Sequence, residues 1–280
     1  MRKEIIKEKD FENSERPSSR LKQFFDIFKH RFVELLKISL LQAVYNIPLI
    51  VSLILFYALV RNASNANSVM TIFLIQSGSF LISMPSLFIG MTGTFYCMKK
   101  LAYAEGEFAS STFFIGMREE WRKGFLIGLI AGLSAGAAMI GIYFSYIYLP
   151  EVNITMAGLC IALLSIQFIV VMIVCYYTVA QTEVYANKLR FTLKNSFIMT
   201  LIRFPYNLAI FIVYPGIFIA LFAIMDITMY IGVVLLLFFA AVGHLMWMLN
   251  ALSAFDKLIN KEQYPDYYRK GLSIEVIKEE

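Results

Sequence analysis

Six stretches of the chain are apolar, uncharged and long enough to cross a lipid bilayer, and they constrain the fold more than any other feature. The hydrocarbon core of a bilayer is about 30 Å thick and takes about 20 helical residues to cross. The candidate spans are Ile38–Val60, Val69–Met98, Phe125–Leu149, Ile154–Ala180, Phe204–Met225 and Ile227–Leu252. We therefore expect an all-α, polytopic membrane helical bundle with six transmembrane helices arranged as three parallel hairpins.

The composition excludes soluble classes of protein and gives no sign of an enzyme. Apolar residues make up 59% of the chain and charged residues 16%, whereas soluble domains have about 45–50% and about 25%. Cys97, Cys160 and Cys175 lie far apart in apolar stretches, which argues against disulfides and metal sites, and His30 and His244 are the only histidines. None of the P-loop, zinc-protease, nucleophile-elbow or Cys-x-x-Cys motifs is present. The sequence predicts no catalytic, cofactor-binding or metal-binding residues.

Lysine and arginine are distributed unevenly between the two sides of the predicted bundle. Of the 25 lysine and arginine residues, only Arg61 lies on the side of the bundle that carries the first loop. The other 24 lie on the side that carries the two termini. Cytoplasmic segments carry the excess of positive charge, so both termini are expected in the cytoplasm. The net charge of +5 is explained by flanks that face anionic lipid and requires no nucleic acid.

The ends of the chain differ in composition from the apolar middle. The first 19 residues contain no apolar core of a cleavable signal peptide, so the first span is expected to act as the targeting signal. We expect a polar cytoplasmic tail over residues 1–20, a transmembrane domain over residues 21–255 and a second cytoplasmic tail over residues 256–280.

Three stretches that precede alternate spans are too polar to cross the membrane but carry aromatics and charges at helical spacing. They are Leu21–Lys37, Phe108–Gly124 and Val184–Phe204, and each contains a cation followed three residues later by an aromatic side chain. We expect interfacial amphipathic lead-in helices there. They would either form a docking face or anchor the start of the next span, with lysines reaching the headgroups.

Two groups of small residues stand out inside the spans. The third span contains Gly124, Gly128, Gly132 and Gly136, which share one helix face and predict the close approach of another helix, in this chain or in another one. The second span contains Pro85 and several glycines and is predicted to be kinked or broken near Met84–Pro85. Broken helices bind substrates in transporters, whereas a proline kink satisfied by neighbouring serine hydroxyls needs no ligand.

Polar side chains inside the spans are few and uncharged. They are Gln42, Asn46, Gln76, Gln167, Gln181, His244 and Asn250, with Glu183 at the end of a span. Ion and proton pathways normally contain buried charges, so transport through a carboxylate relay is disfavoured. Most amides in membrane helices hydrogen-bond to neighbouring helices.

Several short motifs resemble those of the YesL family. They are Tyr45–Asn46 with Pro48, Met84–Lys100, Gly106–Glu107, Phe113–Phe114, Arg118, Trp121, Ala254–Asn260, Pro265–Arg269 and Gly271–Leu272. The family's usual Gly-Pro reads Gly90–Met91 here. The resemblance implies a bacterial protein with several membrane helices, associated with carbohydrate uptake systems of the ATP-binding-cassette (ABC) type, and it implies no catalytic residues.

Taken with the missing enzyme motifs, the resemblance leads us to expect a non-catalytic accessory or interaction subunit of the bacterial cytoplasmic membrane. Its partners would be membrane lipid and ABC permease or ATPase subunits. The sequence leaves open whether the protein also forms homo-oligomers. The candidate docking residues are Phe113, Phe114, Arg118 and Trp121, together with the tail Phe255–Gly271. The alternative is a small permease or channel, for which the candidate path-lining residues are Ser83, Pro85, Gly90, Gly93 and Thr94.

Overall fold

The computed structural model of the protein describes residues 16–63, 65–105, 109–223 and 227–273, and this part of the chain contains helices and no strand. The α-helices are α1 Arg20–His30, α2 Phe32–Arg61, α3 Ala66–Ala102, α4 Ala109–Ile147, α5 Leu149–Val152, α6 Ile154–Val184, α7 Leu189–Ile202, α8 Phe204–Phe211, α9 Ile217–Ala223, α10 Ile227–Phe255 and α11 Lys261–Gln263. Ile212–Gly216 and Asp256–Asn260 are π-helical, and Pro265–Tyr267 is a 3₁₀ turn.

Six helical segments are long and apolar enough to cross a membrane, which confirms the predicted all-α polytopic bundle. They are α2, α3, α4 with α5, α6, α8 with α9, and α10. We call the side of the bundle that carries α1, α7 and residues 256–273 the terminal side, and the opposite side the loop side. The predicted turn between the fifth and sixth spans at Asp226, and the tail up to Glu15, lie outside the described residues.

Two of the three predicted lead-in stretches form separate helices. The chain bends at Arg31 between α1 and α2 and at Arg203 between α7 and α8, and Pro205 follows the second bend. Residues Ala109–Gly124, in contrast, continue directly into the membrane span as part of α4. No proline interrupts α4, so its 39 residues form one helix about 58 Å long.

The closest helix packing joins α3 to α4 through the four glycines of α4. A Cβ atom at Gly128 would lie 2.4 Å from the Cα atom of Pro85, and one at Gly132 would lie 2.5 Å from the carbonyl oxygen of Phe80. A Cβ atom at Gly124 or at Gly136 would lie 3.0 Å from a backbone oxygen of α3. The partner helix is therefore in the same chain. We call this contact the α3–α4 seam.

Candidate functional site

The predicted break in the second span does not occur, because α3 is a continuous helix from Ala66 to Ala102 with Pro85 inside it. Pro85 lies directly against Gly128, where the missing side chain leaves room for it. Proline is tolerated inside membrane helices when neighbouring helices enclose the distorted turn. The structure therefore gives no half-helix ends at this position.

The candidate path-lining residues lie in contacts between helices. Gly90 packs against Tyr45 of α2, and Gly93 packs against Phe113 of α4. A Cβ atom built at either glycine would lie 2.6 Å from the nearest atom of that neighbour. The Thr94 hydroxyl donates a hydrogen bond of 2.7 Å to Oε1 of Gln42. Ser83 is buried too. The small residues of α3 thus bring α2 and α4 close. None of them lines the cavity described below, although Met84 and Leu87 of the same helix do.

The candidate docking residues divide between the two faces of α4. Phe113 is completely buried against Gly93, so its assignment to a docking surface is corrected here: it belongs to the core. Phe114 and Trp121 are 45% and 46% exposed, and Arg118 is exposed as well. This division could not be predicted from the sequence, because aromatic residues occupy both faces of the helix.

The exposed residues Phe114, Ile115, Arg118 and Trp121 lie on one side of α4, at the terminal side of the bundle; we call them the α4 face. The guanidinium group of Arg122 lies 5.5 Å from the ring of Trp121, which is within the range of a cation–π contact. On the opposite side of the same helix, Gly116 lies against Tyr96 of α3. This packing fixes the orientation of the exposed side chains.

The tail after α10 folds back onto the terminal side of the bundle. Asp256 forms an ion pair of 2.8 Å with Arg20 of α1, and both side chains are about nine-tenths buried. Gln23 donates hydrogen bonds to the carbonyl oxygens of Ala102 and Gly271. We call these contacts the terminal junction. These contacts involve much of the C-terminal tail, which the sequence analysis predicted to bind a partner protein.

The terminal junction depends on the backbone of Gly271 and on Glu105. Gly271 has a φ angle of +84°, and a Cβ atom there would lie 1.9 Å from the carbonyl oxygen of Ala102, so only glycine fits. The Glu105 carboxylate accepts hydrogen bonds from Lys100 and Lys270. Burial alone would raise the pKa of Glu105, but the two lysines outweigh it and hold that pKa below its ordinary value.

A buried polar cluster joins α6, α8 and α10 on the terminal side. The hydroxyl of Tyr177 donates to Oδ1 of Asn207 at 2.8 Å, and Nδ2 of Asn250 donates to both of these residues. Arg203 donates to the carbonyl oxygen of Asn250. Interhelical hydrogen bonds of this kind each contribute about 1 kcal/mol in membranes. The cluster holds the start of the fifth span against its neighbours.

The regular α-helical pattern is interrupted in the fifth span. Residues Ile212–Gly216 form a π-helical turn that contains Pro215. The turn places Tyr214 against α10, where a Cβ atom at Gly243 would lie 2.0 Å from the tyrosine ring. The Tyr214 hydroxyl donates to the carbonyl oxygen of Ala240. Such π-helical turns are frequent at functional sites, and the Pro215–Gly216 pair was a signal in the sequence that could have revealed it.

A cavity of about 630 Å³ lies beside this turn, from the middle of the bundle towards the loop side. Its walls come from all six spans and are almost entirely apolar. Asn46 and His244 are among the few polar lining residues, and both are buried. The cavity has the size of a small-molecule binding site.

The described residues contain no group of three or more metal-ligating side chains. None of the three cysteines forms a disulfide within the part of the chain that the structure describes. Comparisons with protein-family models, with curated proteins and with solved structures found no match to this chain. The fold and the six apolar spans define the class of the protein: it is a multi-pass membrane protein.

Proposed function

We propose that the protein is a non-catalytic accessory subunit that binds a partner through the α4 face. The supporting observation is that two large aromatic side chains, Phe114 and Trp121, lie exposed around Arg118 on a helix that extends beyond the length needed to cross the membrane. Aromatic residues and arginine are the residue types that contribute most to protein–protein interfaces.

The rigidity of the α4 face supports the proposal. Phe113 and Gly116, on the opposite side of the helix, pack against Gly93 and Tyr96 of α3. The exposed side chains are therefore presented without further ordering of the backbone. Binding to such a preformed surface has a smaller entropic cost than binding to a flexible one.

The partner we propose is a permease or ATPase subunit of a carbohydrate ABC-type uptake system in the bacterial cytoplasmic membrane. The resemblance to the YesL family supports this choice. The positive charge of the terminal side supports a cytoplasmic position for the α4 face, where it would meet the cytoplasmic surface of such a transporter.

The orientation can be tested with single cysteines in a variant that lacks Cys97, Cys160 and Cys175. Asn67 and Ser111 are exposed at opposite ends of the bundle. An impermeant thiol reagent added to intact cells should label Asn67→Cys and should label Ser111→Cys only after permeabilisation. Labelling of Ser111→Cys alone in intact cells would reverse the orientation and remove the α4 face from the cytoplasm.

The function can be tested by purifying the tagged protein from its native membrane in a mild detergent and identifying bound subunits by mass spectrometry. We expect sugar-transporter subunits with the wild type and at least tenfold less of them with Phe114→Glu or Trp121→Glu. The control is Phe191→Glu, which changes an aromatic residue that is 60% exposed on α7. Equal losses in all three variants, or no transporter subunits with the wild type, would contradict the proposal.

A further inference from the structure

One face of α7 is fixed against the bundle, and this determines what the helix presents outwards. Thr192, Ser196 and Thr200 are completely buried, and Met199 is 3% exposed. This face packs against α6, where the Ser196 hydroxyl donates a hydrogen bond of 3.4 Å to Oε1 of Gln181. A helix held in this way turns its remaining side chains outwards in one defined orientation.

The start of α7 carries only positive charge. Lys188, Arg190 and Lys194 are exposed, and none of them forms an ion pair with another residue in the described part of the chain. The sequence contains no aspartate or glutamate between Glu183 and Asp226. Glu183 itself is buried at the end of α6. The outward side of α7 therefore has no acid of its own, and its complementary partner is an anion.

The second half of the same outward side is apolar. Phe197, Ile198, Leu201 and Ile202 are each 44 to 60% exposed. A group of large exposed apolar side chains marks a surface that binds a protein or a membrane. Along α7 the cations come first and the apolar side chains follow. This order matches a membrane surface, where charged headgroups lie outside the hydrocarbon.

The bend after α7 marks the same boundary. Arg203 donates a hydrogen bond to the carbonyl oxygen of Asn250, and its guanidinium group lies 4.9 Å from the ring of Tyr206. Tyr206 is 54% exposed near the start of α8, where the fifth span begins. Tyrosine and arginine are typical of the level at which a span meets the headgroups. The apolar half of α7 thus lies next to the point where the chain enters the hydrocarbon.

We propose that the outward side of α7 binds anionic phospholipid in the leaflet that borders the terminal side. Lys188, Arg190 and Lys194 contact the anionic headgroups, because clusters of lysine and arginine at a membrane surface attract anionic lipid. Phe197 and Leu201 lie among the acyl chains. A dissolved phosphate ion would use only the first half of this surface, whereas a phospholipid uses both halves. The inference is independent of the α4 face and of the partner that binds there.

An indole placed on α7 reports which lipids lie beside it, because bromine atoms in acyl chains quench tryptophan fluorescence on contact. In a Trp121→Phe variant the only remaining tryptophan is Trp247, which is 1% exposed and gives a background that can be subtracted. Phe197→Trp is added to this variant, and the protein is placed in nanodiscs of phosphatidylcholine. Brominated phosphatidylglycerol at about one tenth of the lipid should quench the introduced indole about threefold more than brominated phosphatidylcholine at the same fraction, because the cations concentrate anionic lipid.

A triple variant tests whether the cations of α7 select the lipid. Lys188→Gln, Arg190→Gln and Lys194→Gln together should lower the ratio of quenching by the two brominated lipids to about one. All three side chains are exposed, so the substitutions leave the packing on α6 unchanged. Elution volume and unfolding temperature show that the variant is folded.

The matched control removes the same amount of charge elsewhere on the terminal side. Lys22→Gln, Lys257→Gln and Lys261→Gln change exposed lysines on α1 and after α10. This variant should keep the preference for phosphatidylglycerol beside α7, because the charge of α7 is intact.

Equal quenching by the two brominated lipids before any lysine is changed would overturn the proposal, because α7 would then contact boundary lipid without selecting its headgroup. Absence of quenching by either lipid would overturn it too, since α7 would lie in water. A preference that both triple variants keep, or that both lose, would show that the cations of α7 do not select the lipid.

Discussion

The terminal half and the loop half of the bundle are built in opposite ways. On the terminal side, the Tyr177 cluster and the terminal junction fill the space with buried hydrogen bonds and an ion pair. On the loop side, the π-helical turn leaves a cavity of about 630 Å³. The difference indicates a rigid support at one end and a region that can accept a molecule at the other.

The largest effect is expected from filling the α3–α4 seam. Gly128→Leu would place a side chain inside the backbone of α3 at Pro85, which would have to move. Such overpacking typically costs about 1–3 kcal/mol and more when backbone is displaced. We expect little monodisperse protein after detergent extraction.

The matched control is Gly158→Leu, because a Cβ atom at Gly158 has no atom within 4 Å. The leucine should slightly stabilise α6, since glycine is the poorer helix former by up to about 1 kcal/mol. Equal behaviour of the two variants in size-exclusion chromatography and thermal unfolding would show that the seam does not support the fold.

A second pair of variants compares the two halves directly. Phe88 is completely buried on α3, whereas Phe222 lines the cavity and is half-buried. Phe88→Ala should lower the free energy of unfolding by about 3 kcal/mol through the cavity it creates. Phe222→Ala enlarges a space that exists already and should cost less than about 1 kcal/mol. Thermal or denaturant unfolding measures both, and a reversed order would contradict the comparison.

The smallest effect concerns pH and the terminal junction. Because the pKa of Glu105 in the folded protein lies below its ordinary value of 4.5, its ion pairs contribute stability that is fully present above pH 4.5. That contribution is lost as the pH falls through the lower pKa of the folded state. The Glu105 side chain is 35% exposed, so the expected contribution is below about 1 kcal/mol.

The pH dependence is measured against Glu105→Gln. The wild type should unfold at a higher temperature than this variant at pH 7, and the difference should vanish at low pH. A constant difference at all pH values would show that the carboxylate contributes through packing and not through its charge.

The spans were predictable from the sequence because charged residues are absent from stretches such as Ile38–Val60, and this follows from the cost of burying charge in lipid. The glycine spacing in α4 indicated close packing but not its partner. That partner is set by which helices meet in space, and the pairing of Gly128 with Pro85 requires the tertiary fold.

The candidate sites were less predictable, for reasons that particular residues show. Phe113 and Phe114 are adjacent and chemically identical, and only the position of Gly93 decides that the first is buried. Pro85 and Pro215 both lie in spans, yet only the second lies in a π-helical turn. A glycine of α4 lies opposite Pro85 and leaves room for it in the helix contact. The π-helical turn at Pro215, in contrast, borders the cavity.

The terminal junction has a consequence for the synthesis of the protein. Arg20 and Gln23 leave the ribosome early, whereas Asp256 and Gly271, which satisfy them, are made more than 230 residues later. Until then, these early polar groups are only partly satisfied, by the hydrogen bond from Arg20 to Gln23 and by the one from Gln23 to Ala102. The backbone hydrogen bond from Ser273 to Pro17 closes the same junction. A chain that stops before Asp256 cannot form these contacts, so the junction closes only after nearly all of the protein has been made.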